Sequence, residues 1–230
     1  MKIPPAVLIT ITPIATFAAS MQFTPSQDAS IMANDTSVGN GSLFGGYNAS
    51  GQERRPLVQF DVSAIPASAA VDSVSLSFDA NLLQGSQTFT LHAVNTPWVA
   101  GTNTGNGGGG GQGSTPTPVG SVSWETPWTT SGGDFGSALD SVLVDSAGTV
   151  SFSDPLLLAL VQTWVGTPAA NNGFILVGTN TNAQNAIRFG SSETGVAPVL
   201  DVTYTAIPEP KLFALAAGFA AIGLAIIRRK

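Results

Sequence analysis

The sequence predicts an all-β domain of two packed antiparallel sheets with one covering helix, bounded by a targeting segment at each end. Three observations carry that prediction. Hydrophobic residues make up 43% of the 230 and charged residues 10%, which is too apolar for a disordered chain. The 26 glycines and 15 prolines punctuate the chain too often for a helical bundle. Between them, apolar and polar residues alternate with the period of two that belongs to half-buried strands.

The alternation is clearest where Val74, Leu76 and Phe78 interleave with Ser73, Ser75 and Ser77, and where Phe89, Leu91 and Ala93 interleave with Thr88, Thr90 and His92. Further strands are expected over Leu57–Asp61, Val119–Trp124, Thr149–Phe152, Phe174–Val177, Ala186–Phe189 and Val199–Tyr204. One helix interrupts them. Asp154 can cap it and Pro155 suits the first turn. Leu156 to Trp164 form a mostly apolar body that must be buried, before Gly166 and Pro168 end it. The stretch 101–118, with its unbroken run Gly107–Gly111, reads as a flexible surface insertion. A phosphate-cradling loop is the other use of such a run, but no Lys-Ser/Thr pair or helix follows it.

Both ends read as addresses. Lys2, the apolar stretch from Ile3 and the small residues Ala18-Ala19-Ser20 make the three parts of a secretory signal, with cleavage expected after Ser20. At the other end Ile207-Pro208-Glu209-Pro210 stops a strand, because neither proline can donate to a ladder. Leu212–Ile227 is then uninterruptedly apolar and precedes Arg228, Arg229 and Lys230. With Lys211 snorkelling at one side and three cations as a basic stop at the other, this run is expected to span a membrane. The positive-inside rule leaves the central domain outside the cytoplasm, in agreement with the N-terminal signal. The competing readings are a plain single-pass tail anchor, which leaves the adjacent Pro-Glu-Pro unexplained, and an amphipathic core helix, for which the run offers no polar face.

Taken together, Pro208-Glu209-Pro210, the apolar helix and the basic terminus resemble the PEP-CTERM sorting signal. The resemblance implies that an exosortase, a membrane-embedded transpeptidase, recognises residues 207–230 and cuts near the Pro-Glu-Pro motif. The protein would be membrane-anchored until processed and then passed to the outer envelope, cell surface or extracellular matrix. The central part, 21–206, resembles a DNRLRE-type domain. That likeness rests on Arg54-Arg55-Pro56-Leu57-Val58-Gln59-Phe60-Asp61-Val62, Ile65-Pro66, Trp98, Trp128 and Gly132-Gly133-Asp134. It continues through Asp154, Val161, Trp164, Asn172-Gly173-Phe174, Ser191-Ser192-Glu193 and Pro198-Val199-Leu200. It implies a jelly-roll-like sandwich related to carbohydrate-binding modules. The chain departs from the pattern in the long glycine insertion after Trp98, where an acidic residue and a shorter loop are usual.

Charge and residue counts narrow the chemistry. Of the 8 basic residues only Arg54, Arg55 and Arg188 fall in the central domain, against nearly all of the 14 acids. A surface of that sign repels phosphate backbones, so no nucleic-acid partner is expected. The absence of cysteine removes disulfides, thiolate metal sites and cysteine nucleophiles. The single histidine, His92, sits on the polar side of a strand, which gives no frame for a Ser-His-acid triad or a histidine metal cluster. No pair of carboxylates forms a recognisable hydrolytic frame, so a non-catalytic role is expected.

Two binding chemistries remain. Trp98 and Trp128 each follow a Thr-Pro pair at strand ends, where an indole can stack on a sugar or equally seal the end of a core. Arg55 can grip an acidic sugar or pair with a structural carboxylate. A structural Ca2+ held by loop oxygens is the second chemistry, with Asp28, Asp35, Asp61 and Asp201 as candidates. The expected partners are therefore the secretion machinery, an exosortase, the membrane through the C-terminal helix, and a polysaccharide. A structural or adhesive protein binding another protein is the alternative, and a glycan hydrolase or lyase the more distant one.

Overall fold

The computed structural model describes residues 18–105, 111–182 and 184–207. The segments expected to be the signal peptide (1–17 of it) and, from Pro208 on, the sorting tail with Arg228, Arg229 and Lys230 lie outside the described residues. Among the described residues no helix is long and apolar enough to cross a membrane.

Among the described residues twelve strands form one antiparallel sheet that curls on itself. Its first half is built on the long central strand β6 (Ala70–Leu83). β12 (Val199–Thr205) and β11 (Ile187–Phe189) follow one another along one edge of β6, and β9 (Gly148–Phe152) lies along the other. β1 (Ala18–Phe23) closes this half by pairing with β12, from Ala18 opposite Thr205 to Phe23 opposite Leu200. In the second half, β5 (Glu53–Gln59) has β2 (Gln27–Met32) on one side, with β3 (Thr36–Val38) beyond it. β10 (Phe174–Gly178) lies on the other side, followed by β7 (Gln87–Val94) and β8 (Phe135–Val144). The halves are joined through β4 (Leu43–Tyr47), whose first three residues pair with β11 and whose last two pair with β5.

Curling brings the inward side chains of both halves together. Phe78 of β6, Phe152 of β9, Phe189 of β11 and Phe89 of β7 meet edge to face, with centroids 5.5–6.2 Å apart. Each such pair contributes about 1 kcal/mol beyond the area it buries. The helix α1 (Pro155–Gly166) forms as its sequence dictates. The Asp154 carboxylate accepts from the Leu156 N–H, Pro155 occupies the first turn, and Leu157, Val161, Trp164 and Val165 are buried. Trp164 lies 4.7 Å from Phe174. The Gln162 side chain bonds Ala69 and Val71 at the start of β6, which anchors the helix there.

The second half is covered on its outer face as well. The forty-residue excursion 95–134 between β7 and β8 folds back over β2, β5 and β10. There Trp98, Ala100, Val122 and Trp128 pack with Ala29, Ile31, Leu57, Val94 and Ile175 in a second apolar cluster. Burial on both faces explains why β2 carries no alternation and is buried from Asp28 to Met32. It also explains why β10 reads as a short continuous apolar run.

Several expectations are corrected. Val119–Trp124 is not a strand: Val119 is fully exposed, and Val122 reaches the cluster through a turn whose N–H donates to the Val99 carbonyl. The parts of 101–118 that are described are pinned rather than free. Asn103 donates to the Ser37 carbonyl, Ser114 and Ser37 exchange two backbone bonds at 3.0 Å, Thr102 donates to the Thr117 carbonyl, and buried Arg54 donates to the Gly111 carbonyl. Residues 106–110 lie outside the described residues. Ala18, Ala19 and Ser20, the last residues of the expected signal, pair with Thr205, Tyr204 and Thr203.

Candidate functional site

The excursion ends in the loop 124–134, and Arg55 of β5 organises it. Arg55 and Glu53 point to the same side of the strand two residues apart. They form a two-pronged ion pair, Nε to Oε1 at 2.7 Å and Nη2 to Oε2 at 2.9 Å. The remaining Nη1 donates to the Gly132 carbonyl at 2.7 Å. The guanidinium plane lies 4.7 Å from the Trp124 ring and 5.5 Å from that of Phe135. Gly132 has φ +88°, and a side chain there would run into Arg55 Nη1 and the Trp124 ring. The loop is thus clamped from below by one cation.

Asp134 ties it from above. Oδ1 accepts from the Thr129 hydroxyl and the Thr130 N–H, both at 2.9 Å. Oδ2 accepts from the Thr129 N–H at 2.8 Å and from the Thr96 hydroxyl at 3.0 Å. The bonds from Thr129, first its N–H, hold the carboxyl below the usual range, and those from Thr130 and Thr96 add to it, so it is ionised at neutral pH. Thr96 belongs to the start of the excursion, so this carboxylate joins its two ends. The Asn95 N–H donates to the Asp134 carbonyl as well.

Between those ends lies an open cleft of about 520 Å3, lined by Asn95, Thr96, Thr129, Thr130, Gly133, Asp134 and Phe135. Asn95, Thr129 and Thr130 are exposed, and Phe135 is half-buried with one side against His92, centroids 4.8 Å apart. A smaller hollow of about 210 Å3 lies beside Asp35, Ser121, Ser123 and Thr126.

The residues singled out from sequence fall differently from their expected use. Trp98 and Trp128 are 5% and 8% exposed, and their indole N–H groups donate to the Asn172 and Ser123 carbonyls at 2.8 Å. Their rings fill the second cluster and seal the core; in this fold they present no face to a sugar. Arg55 is the structural partner of Glu53, with its donors directed inward. The four aspartates do not converge, and among the described residues no group of three or more His, Cys, Asp or Glu gathers that could hold a metal. Asp35 accepts from the Ser123 hydroxyl and the Glu125 N–H. Asp61 accepts from the Ser63 N–H, and Asp201 accepts from the Gln22 amide. Asp28 is buried and accepts from the Ser192 N–H at 2.8 Å. Burial pushes its carboxyl up to about 6, with the neighbouring Glu193 charge adding to the effect and the Ser192 N–H opposing it.

His92 spends both ring nitrogens on structure, bonding the Gly136 carbonyl at 2.9 Å and the Thr90 hydroxyl at 2.8 Å. Of the cleft residues, sequence reasoning had singled out only Gly133 and Asp134, as part of a motif. The Thr-rich run ahead of Asp134 was the available signal, because Thr and Asp at spacings of four and five readily close a loop through side-chain bonds to backbone. No family model matches this chain, and no curated protein matches it either.

Proposed function

We propose that this chain is an exported, non-catalytic module of the cell envelope or extracellular matrix, a jelly-roll-like sandwich that contacts polysaccharide at the cleft between Asn95 and Phe135. The observation that carries the reading is the lining of that cleft. Hydroxyls and an amide on loops, held in place by a rigid sheet, are what a polyhydroxylated ligand needs. The inward tryptophans move the contact from aromatic stacking to hydrogen bonding. The export half of the proposal rests on the N-terminal signal and on Pro208-Glu209-Pro210 with its apolar run and basic end. It makes an exosortase and the secretion machinery the processing partners, and the membrane a transient one.

Affinity electrophoresis of the purified protein through gels loaded with matrix polysaccharides tests the contact. Retardation by at least one of them is the expected result, and free migration through all of them would remove it. Sorting is read separately, from the intact mass of the cell-derived protein. The native chain is expected to lose its C-terminal segment and Pro208→Ala to retain it; equal masses would remove the sorting step.

A further inference from the structure

The cleft also carries information about which sugars it admits. We propose, resting on the polysaccharide-contact reading above, that it selects uncharged sugar residues through the Asn95 amide and the Thr130 hydroxyl. Four features lead there.

The first is the charge balance. Asp134 is the one ionisable group among the lining residues, and it is ionised. The described residues contain three arginines to offset a ligand's negative charge, and each is engaged elsewhere. Arg55 is closed by Glu53 and Gly132 behind Phe135, Arg54 is buried against Gln52 and Gly111, and Arg188 donates to Asn81. A uronate, sulfate or phosphate entering the cleft would face a carboxylate with no cation beside it.

The second is the saturation of Asp134. Its two oxygens accept four bonds, three from the loop and one from Thr96, so it ties the two ends of the cleft together rather than offering an acceptor to the ligand. The third is what remains free. Thr96 and Thr129 give their hydroxyl protons to Asp134 and face a ligand as acceptors only. The Asn95 carboxamide and the Thr130 hydroxyl make no side-chain bond within the described protein and can both donate and accept. Sugar hydroxyls, which also do both, can meet Asn95 and Thr130 and also donate to the Thr96 and Thr129 oxygens; a carboxylate, which only accepts, cannot donate to those oxygens. The fourth is Phe135. Its ring is held by His92 and Arg55 and supplies an apolar wall suited to the C–H edge of a sugar ring.

The test compares three polymer classes of similar size in solution by isothermal titration calorimetry: a neutral glucan, a polyuronate and a cationic hexosamine polymer. The neutral polymer is expected to bind, with affinity unchanged between low and physiological salt, because no charge pair is formed. Asn95→Ala and Thr130→Val are each expected to weaken it about tenfold, since each removes a hydrogen bond at the contact. Both sites are exposed, so both variants keep the native melting temperature. Preferential binding of the polyuronate overturns the inference, as does salt-sensitive binding of the hexosamine polymer that Asp134→Asn abolishes. Neutral binding untouched in both Asn95→Ala and Thr130→Val overturns the site. Binding of none of the three, by contrast, defeats the polysaccharide reading itself.

Discussion

At the scale of single residues, Arg55 and Asp28 show how few charges this domain has and how each is committed. Arg55 joins β5 to the loop 124–134, and the Glu53 side chain beside it is only 11% exposed. Removing the cation leaves a largely desolvated carboxylate without its partner and a carbonyl without its donor. Arg55→Met is therefore expected to lower unfolding free energy by about 3 kcal/mol, at the lower end of the range for breaking a buried pair. Urea denaturation would show it, and a midpoint equal to that of the native protein would contradict the clamp. Asp28 gives a pH dependence. Its folded carboxyl titrates at about 6, above the ordinary 3.8, so the fold prefers it neutral. Its contribution to stability is present in full below pH 3.8 and is lost as pH rises through 6. Asp28→Asn is expected to flatten the melting-temperature profile between pH 4 and 7 and to gain up to about 3 kcal/mol at neutral pH. An unchanged slope would show that another group carries it. Trp98 was legible as a large aromatic at a strand end. Its direction was not, because the sequence does not reveal that β5 and β10 have an apolar outer face to cover.

At the scale of elements, the helix was the most legible part. Its cap, first-turn proline and apolar body are local signals, and local chemistry decides them. Asp154→Ala is expected to cost about 1 kcal/mol in thermal or chemical unfolding, the value of one N-cap bond. Strands with one solvated face, β6, β7 and β12, declared themselves by alternation. β2 did not, because a strand buried on both faces has no period to read. β8 did not either, since its exposed edge carries small and polar residues without a regular pattern. The strand expected over Val119–Trp124 failed for the opposite reason. Its alternation of Val, Ser and Trp is real, but it serves a turn that drops Val122 into the second cluster while Val119 faces solvent.

At the scale of the whole molecule, the most distant parts of the described chain meet in one ladder. Ala18 pairs with Thr205, and the strands at its two ends close the first half of the sheet side by side. β1 covers the edge of β12, and Tyr204 reaches Met21 across the pair. Deleting residues 1–23 is expected to leave β12 as an open edge, lowering the melting temperature and promoting association through strand pairing. Size-exclusion chromatography of the shortened chain would reveal this, and a monomer of native stability would show that β1 is dispensable. Pairing over such separations also predicts folding in the millisecond-to-second range, slow for a domain of this length.

The sequence by itself determined the all-β class of fold, the helix and its cap, and the excess of acids over bases. Each of these depends on composition or on neighbours a few residues apart. Only the tertiary structure decided that Trp98 and Trp128 point inward, that Arg55 belongs to Glu53, and that Asn95 and Thr130 share a cleft. Those outcomes depend on a sheet that curls through β4 and on an excursion that folds back over it. Both bring together residues that no local pattern relates.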